Sequence, residues 1–416
     1  MDKKITRRQQ LVNDLVNRAQ KMGIAKQTTQ DHTLNGRTIT LNGRPLINFA
    51  QCSYLGLEQD ERLKRGAIEA VERYGSQFSS SRAYLSVTLY EEYEELLSKL
   101  FGYPTIVSPS TTLGHLSNLP LLIGGTDVFI LDQFVHTSIT MTASLLKGRG
   151  IQVEKIRHND LHQLETRVKK YASLGQRVWY AVDGIYSMEG NFAPLMKLRQ
   201  LQEKFPQLHL YIDDAHGMSW RGRNGVGFAL SQIPLNDRTI LITSLNKAFA
   251  SGGGAMVFPN EELRDLVRNA GQTLMFSGPL QPASLGAGIA SARLHLSPEI
   301  DCKQQELQER INYFNKLAHS LRLPLANNDP SPIRYIGIGS PTTGYDIVHR
   351  LNKMGYFTNI AAFPSVPLNR TGMRITLSTH HSFDDISDFL HTTVRVVEEV
   401  FHTNGIERGE VAKLFG

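Results

Sequence analysis

LHLYIDDAH (208–216) is a short run of mostly apolar residues that closes on two aspartates, an alanine and a histidine. A run of this length and composition reads as a buried strand whose polar tail leaves the sheet. The same design recurs on either side. VFILD (128–132), VWYAVDGIYS (178–187), TILITSL (239–245) and GGAMVF (253–258) are further strand candidates. Helical patterns lie between most of them, PLMKLRQLQEKF (194–205) being the clearest. Apolar runs alternating with helices predict a mainly parallel central sheet with helices on both faces. In such α/β sheets ligands bind at the carboxyl ends of the strands. The polar residues that close these runs are therefore the ones to inspect.

A chain of 416 residues is too long for one core, so two lobes are expected. Residues 61–290 carry the alternating pattern and form the predicted large domain. After about residue 290 a long helix (SLGAGIASARLHL and onward) leads to short strands and helices ending in MRITLS (373–378). Residues 291–416 are accordingly expected to form a smaller α+β domain. Residues 1–60 read as an arm, a helix followed by the hairpin TLNGRTITLNGRPL with its two Asn-Gly pairs.

The net charge is +6, but the basic residues are scattered apart from a short KK…RR cluster near the N-terminus. No nucleic-acid module accompanies them, and no nucleic-acid partner is expected. Ile5, Leu11, Leu15 and Val16 suggest a basic amphipathic helix. It could serve a membrane surface, or pack on the body or on a partner subunit; the packing role is the expected one. No stretch is long and apolar enough to span a bilayer, and the N-terminus lacks a signal-peptide core. Cys52 and Cys302 have no metal-type spacing. Neither a metal nor a disulfide is expected, and a reducing cytoplasm fits.

Three strand ends carry groups capable of chemistry: Asp213, Ser187 at the end of VDGIYS, and Lys247 in TSLNKAFASGGG (243–254). A partly buried lysine is costly unless it is paired or neutral. A neutral lysine is a nucleophile, and its natural partner is an aldehyde. An acid able to keep a ring nitrogen protonated, followed by a lysine on the next strand, is the pattern expected for pyridoxal 5′-phosphate (PLP). Hydroxyls and glycines around the lysine could cradle the phosphate. The residues alone leave plainer readings open: a turn lysine beside a glycine bend, and an Asp-Asp pair capping a turn.

The sequence resembles the α-oxoamine synthases, fold-type I PLP-dependent acyltransferases that condense an amino acid with an acyl thioester. The resemblance runs from about residue 45 to 395. It is carried, in the family's order, by NFAQCSYLGL (48–57), GSQFSSSR (75–82), DQFVHTSI (132–139), VDGIYSMEGNFAPL (182–195), YIDDAHGMSWRGRNGVG (211–227), TSLNKAFASGGGAMVF (243–258) and MRITLSTHH (373–381). It implies Lys247 as the Schiff-base lysine and the mover of protons at the substrate α-carbon. It places Asp213 at the pyridine nitrogen, His216 and Ser187 near the phenolic oxygen, and His136 against the ring face. Ser244, with Ser110, Thr111 and Thr112, is implied at the phosphate. Arg374 is implied at the substrate carboxylate, with Cys52 and Arg82 as further substrate-side residues. Without the resemblance, His136 reads as a core histidine, Ser187 as a turn serine and Arg374 as a surface ion-pair residue.

The activity so implied is decarboxylative condensation of an amino acid with acyl-CoA, or with an acyl carrier protein, giving an α-aminoketone. The site would be shared across a homodimer. Aminotransfer or a non-decarboxylating acyl transfer is the alternative reaction, and synthesis of an α-aminoketone signal an alternative role. Departures from the family pattern bear on this. Cys52 and Ser53 replace an Asn-Asp pair, Tyr90 replaces a histidine, Gly278 a threonine, and Ser110-Thr111-Thr112 a Ser-Gly-aromatic loop. In its lysine segment, SLNKAFAS, the chain resembles the autoinducer synthases more than the biotin-pathway enzymes.

Overall fold

The computed structural model describes residues 6–415. It divides into two compact units. One comprises the chain through Tyr54, Ser187–Asn191 and the chain from Gln305; the other comprises Leu55–Tyr186 and Phe192–Gln304.

In the first unit, β1 (Thr38–Leu41) and β2 (Arg44–Asn48) form the hairpin, turning at Asn42-Gly43. Both turn residues have positive φ, as a two-residue hairpin of this type requires. The other Asn-Gly pair, Asn35-Gly36, precedes β1; the Asn35 side-chain oxygen Oδ1 accepts from the Arg37 and Thr38 amides. A helix over Arg7–Lys21 comes earlier, capped by Thr6 and Gln9. Its end is tied down where the Met22 and Gly23 carbonyls accept from His349 and Asn352. Leu11 is exposed, Leu15 and Val16 are half-buried and Ala19 is buried. Ile5 and the lysines of the basic cluster lie outside the described residues.

The second unit holds the seven-stranded sheet. Its strands are β3 (Thr105–Ser108), β4 (Val128–Asp132), β5 (Gln152–Ile156), β6 (Val178–Asp183), β7 (Leu208–Asp213), β8 (Thr239–Ser244) and β9 (Gly254–Val257). Their order is β3-β9-β8-β7-β6-β4-β5. The pairs among β4 to β8 are parallel, whereas β9 runs antiparallel to both β8 and β3. The fold is thus α/β with a mainly parallel sheet. Two expected strands end three or more residues early: β6 stops at Asp183 and β7 at Asp213, and the residues after them leave the sheet. β4, β6, β7 and β8 are buried throughout or nearly so, which explains their continuous apolar runs. One face, with Phe129, Leu131, Trp179, Tyr211 and Ile242, packs on helix residues such as Leu119, Ile139 and Leu146.

The remaining strands return to the first unit: β10 (Ile333–Gly339), β11 (Tyr356–Phe357), β12 (Asn359–Ala361) and β13 (Thr371–Thr376). β13 is central in an antiparallel β10-β13-β12 sheet, and β11 pairs parallel to β2. That pairing is why the hairpin and the C-terminal strands fall in one unit. Among the described residues no helix is long and apolar enough to cross a membrane.

Candidate active site

The parallel strands deliver their ends to one cavity of about 220 Å³ in the sheet-bearing unit. Asp183 and Asp213, the last residues of β6 and β7, are direct neighbours in register. Lys247 stands on the excursion between β8 and β9, whose ends pair as Ser244 with Gly254. Gly253 has φ +93°, and a Cβ on Gly254 would lie 2.8 Å from the Thr111 amide nitrogen. The glycines therefore let the chain turn and let the lysine strand approach the Thr111–Leu122 helix closely.

The Lys247 Nζ lies 2.9 Å from His216 Nε2. Asp213 is almost wholly buried. Its Oδ1 accepts from the Ala215 amide at 3.0 Å, and its Oδ2 pairs with His115 Nε2 at 3.1 Å. Burial alone would raise this carboxyl. The hydrogen bond from His115, first, and the neighbouring His115, Lys247 and His136 side chains outweigh it and hold the carboxyl below its usual range. Asp183 goes the other way, pushed well up by burial and then by the charge of Asp213. The pair therefore keeps its negative charge on Asp213, the residue with the fuller set of donors.

His136 caps the Thr137–Gly148 helix, its Nδ1 facing the Ser138 amide at 3.3 Å and the Ser138 hydroxyl at 2.6 Å. Its backbone N–H donates to Asp183 Oδ1 at 3.2 Å. Burial lowers its pKa, which favours the neutral ring. Ser110 is the N-cap of the Thr111–Leu122 helix, and Thr111, Thr112 and Ser244 line the same cavity. A helix N-terminus ringed by hydroxyls suits a phosphate. A buried charged carboxylate suits a ring N–H, and a lysine amine suits an aldehyde. This donor set fits PLP.

The DDAHG motif holds a second carboxylate. Asp214 is buried; its Oδ2 accepts from the Ala229 amide at 2.9 Å, and its Oδ1 finds no partner among the described residues. A Cβ on Gly184, Gly217 or Gly227 would meet its carboxyl group at 2.2–2.4 Å. Burial pushes this carboxyl up to about 8. The folded state therefore holds a proton that the unfolded chain releases near its ordinary value of 3.8. Its contribution to stability is full below that value and lost as pH rises towards about 8. Asp214→Asn is expected to remove this dependence. In melting curves taken across that window, the parent should lose several degrees relative to the variant; parallel curves would refute the assignment.

The other unit gathers the remaining expected residues. Arg374, on β13, is buried. Its Nε donates to the Ser187 carbonyl at 2.6 Å, and its Nη2 lies 3.6 Å from Cys52 Sγ. Tyr54 is hydrogen-bonded in the same cluster. Burial opposes the charge on Arg374, but the facing Cys52 and Tyr54 outweigh it and raise the guanidinium's pKa. Arg374 is thus no surface ion-pair residue. Ser187 contributes its carbonyl to this cluster.

Arg82 lines neither this cluster nor the cavity. It pairs at 2.9 Å with Glu94, a buried carboxylate that also binds Arg268 at 2.8 Å and the Val107 amide at 3.0 Å. It lies 3.7 Å over the ring of Tyr90, whose hydroxyl accepts from the Leu280 amide at 2.6 Å. A buried carboxylate needs such a partner, and that need claims the guanidinium. Sequence reasoning missed His115, Asp183 and Tyr54. The available signal for His115 was a titratable side chain one turn into the helix that begins at the hydroxyl-rich Ser110-Thr111-Thr112.

Residues 44–388 match the family described as aminotransferase class I and II. The 8-amino-7-oxononanoate synthase of Saccharophagus degradans is 30% identical over 365 residues, 86% of this chain and 88% of that one. The enzyme of that name from Thermoanaerobacter pseudethanolicus is 26% identical over 392 residues, 94% and 97% of the two chains. Serine palmitoyltransferase from S. paucimobilis, solved with bound PLP and myriocin, superposes with a TM-score of 0.85 at 21% identity. That match covers 94% of this chain and 98% of the other. The 8-amino-7-oxononanoate synthase of Francisella tularensis gives a TM-score of 0.72 at 22% identity, covering 86% and 99%. The chain belongs to the aminotransferase class I and II family and, within it, to the α-oxoamine synthases, PLP-dependent acyltransferases.

Proposed function

We propose that this protein condenses an amino acid with an acyl thioester, delivered by CoA or an acyl carrier protein, with loss of carbon dioxide, and releases an α-aminoketone. The observation that carries the reading is the Lys247–His216 contact at 2.9 Å in a cavity also lined by Asp213, at the carboxyl ends of β7 and β8.

Bound PLP supplies an electron sink for the carbanion at the substrate α-carbon. Lys247 is the nucleophile towards the cofactor aldehyde, and it moves the proton at the substrate α-carbon. Asp213 stays charged and accepts the hydrogen bond of the ring N–H. His216 shares a hydrogen bond with the lysine and serves the phenolic oxygen, a role assigned also to Ser187. His136, neutral and fixed by Ser138, packs on the ring face. Ser110, Thr111, Thr112 and Ser244 hold the phosphate. Arg374 binds the substrate carboxylate, with Cys52 beside it in place of an amide donor.

A homodimer belongs to the same proposal. Tyr84, Leu85 and Phe276 are 84%, 57% and 81% exposed on loops joined where the Ser81 hydroxyl donates to the Met275 carbonyl. Such an apolar patch is usual for an interface. A cytoplasmic setting is consistent with Cys52 and Cys302 not being joined in a disulfide.

The test is a panel of amino acids crossed with acyl-CoA chain lengths on the PLP-loaded protein, with products weighed by mass spectrometry. The expected product is the acyl-substituted amine lacking the amino acid's carboxyl group. A product that retains the carboxyl group, or an oxo acid from aminotransfer, would replace this reading with one of its alternatives.

A further inference from the structure

We propose that His115 is a positioning residue for Asp213, fixing the orientation and the charge of that carboxylate through a buried chain from Asp213 to His115 to Tyr211. The proposal rests on the reading of Asp213 as the partner of the cofactor ring nitrogen.

His115 and Tyr211 are wholly buried, and Asp213 nearly so. The His115 Nε2 lies 3.1 Å from Asp213 Oδ2, and its Nδ1 lies 2.9 Å from the Tyr211 hydroxyl. Tyr211 and Asp213 are two residues apart on β7, so both side chains leave the same face of the strand. His115 stands on the helix that Ser110 caps. One helix therefore offers hydroxyls to the cavity at its first turn and an imidazole to the carboxylate at its second.

The chain has a consistent proton order. A carboxylate oxygen can only accept, so at Asp213 Oδ2 the His115 Nε2 must carry the ring proton and donate. In the neutral ring Nδ1 then accepts, and the Tyr211 hydroxyl, which burial keeps protonated, donates to it. With the Ala215 amide on Oδ1, each carboxylate oxygen has a fixed donor. The plane of the group is set before any ligand arrives. The other titratable groups facing Asp213 are Lys247 and His136; Asp183 and Asp214 interact with it in turn. A histidine that merely filled space would need no such order.

The test uses the full-length protein. In the cofactor-free parent, nitrogen NMR should find His115 with its proton on Nε2; a proton on Nδ1 would overturn the proposal. In the PLP-loaded protein, His115→Ala should lower kcat by about 10- to 100-fold, the scale for losing a hydrogen-bonded supporting partner. KM for the amino acid should stay within about twofold, because the substrate contacts are untouched. The absorbance of the bound cofactor should titrate at a shifted pH. His115→Gln, which keeps an N–H, should recover part of both effects, and Tyr211→Phe should move the titration in the same direction by less. Parental kcat and titration in His115→Ala would overturn the proposal. If Lys247→Ala instead retains full turnover, the functional reading falls, and the His115 tautomer still decides the proton order on its own.

Discussion

Lys247→Ala is expected to lower turnover by about 10⁴-fold or more, the upper end of what one positioned proton-transfer group supplies. The figure is a floor because the same amine is also the assigned nucleophile. The lysine is half-buried and held against His216 at 2.9 Å, so it is no solvated surface charge. Lys247→Arg should not rescue activity. A guanidinium keeps the charge but remains protonated, and so can neither attack an aldehyde nor take a proton. Steady-state turnover, with circular dichroism as the fold control, makes the measurement. A turn lysine of no chemical role would cost less than about twofold, within the usual range for a surface substitution.

Asp213→Asn is expected to cost about 10²- to 10³-fold in kcat, the range for removing one preorganised electrostatic partner. The amide matches the carboxylate in shape, and one of its two ends could still meet His115 or the Ala215 amide. What it lacks is the charge that keeps a ring N–H protonated. Asp183 is a poor substitute, because burial and the charge of Asp213 push its pKa well up. The variant should still bind PLP through the hydroxyl cradle and Lys247, so its loss should appear in kcat and in the pH dependence of the bound cofactor's spectrum. Parental kcat with an unchanged pH dependence of the bound cofactor's spectrum would contradict the role given to Asp213.

The parallel strands were legible because burial on both faces makes each of them a continuous apolar run, and their polar ends announce the site. β3 and β5 were not. β3 is four residues long, and β5, QVEKI, is an edge strand with exposed Gln152 and Lys155, so neither has a clean period. The antiparallel direction of β9 was equally hidden, since direction depends on the length and path of the excursion carrying Lys247. Asp213, His216 and Lys247 could be read because they close strands or follow them directly. His115 could not, because its meaning lies in which strand its helix packs on. Arg82 shows the converse: the sequence places an arginine in a loop, but Glu94, twelve positions on, determines where its charge goes.

The most direct test of the account is carbon dioxide release from a carboxyl-labelled amino acid by the PLP-loaded protein, with and without acyl-CoA. Label released in step with ketone formation, only when both substrates are present, and abolished by Lys247→Ala, is the predicted result. Acyl-CoA turnover with the label retained in the product would contradict it.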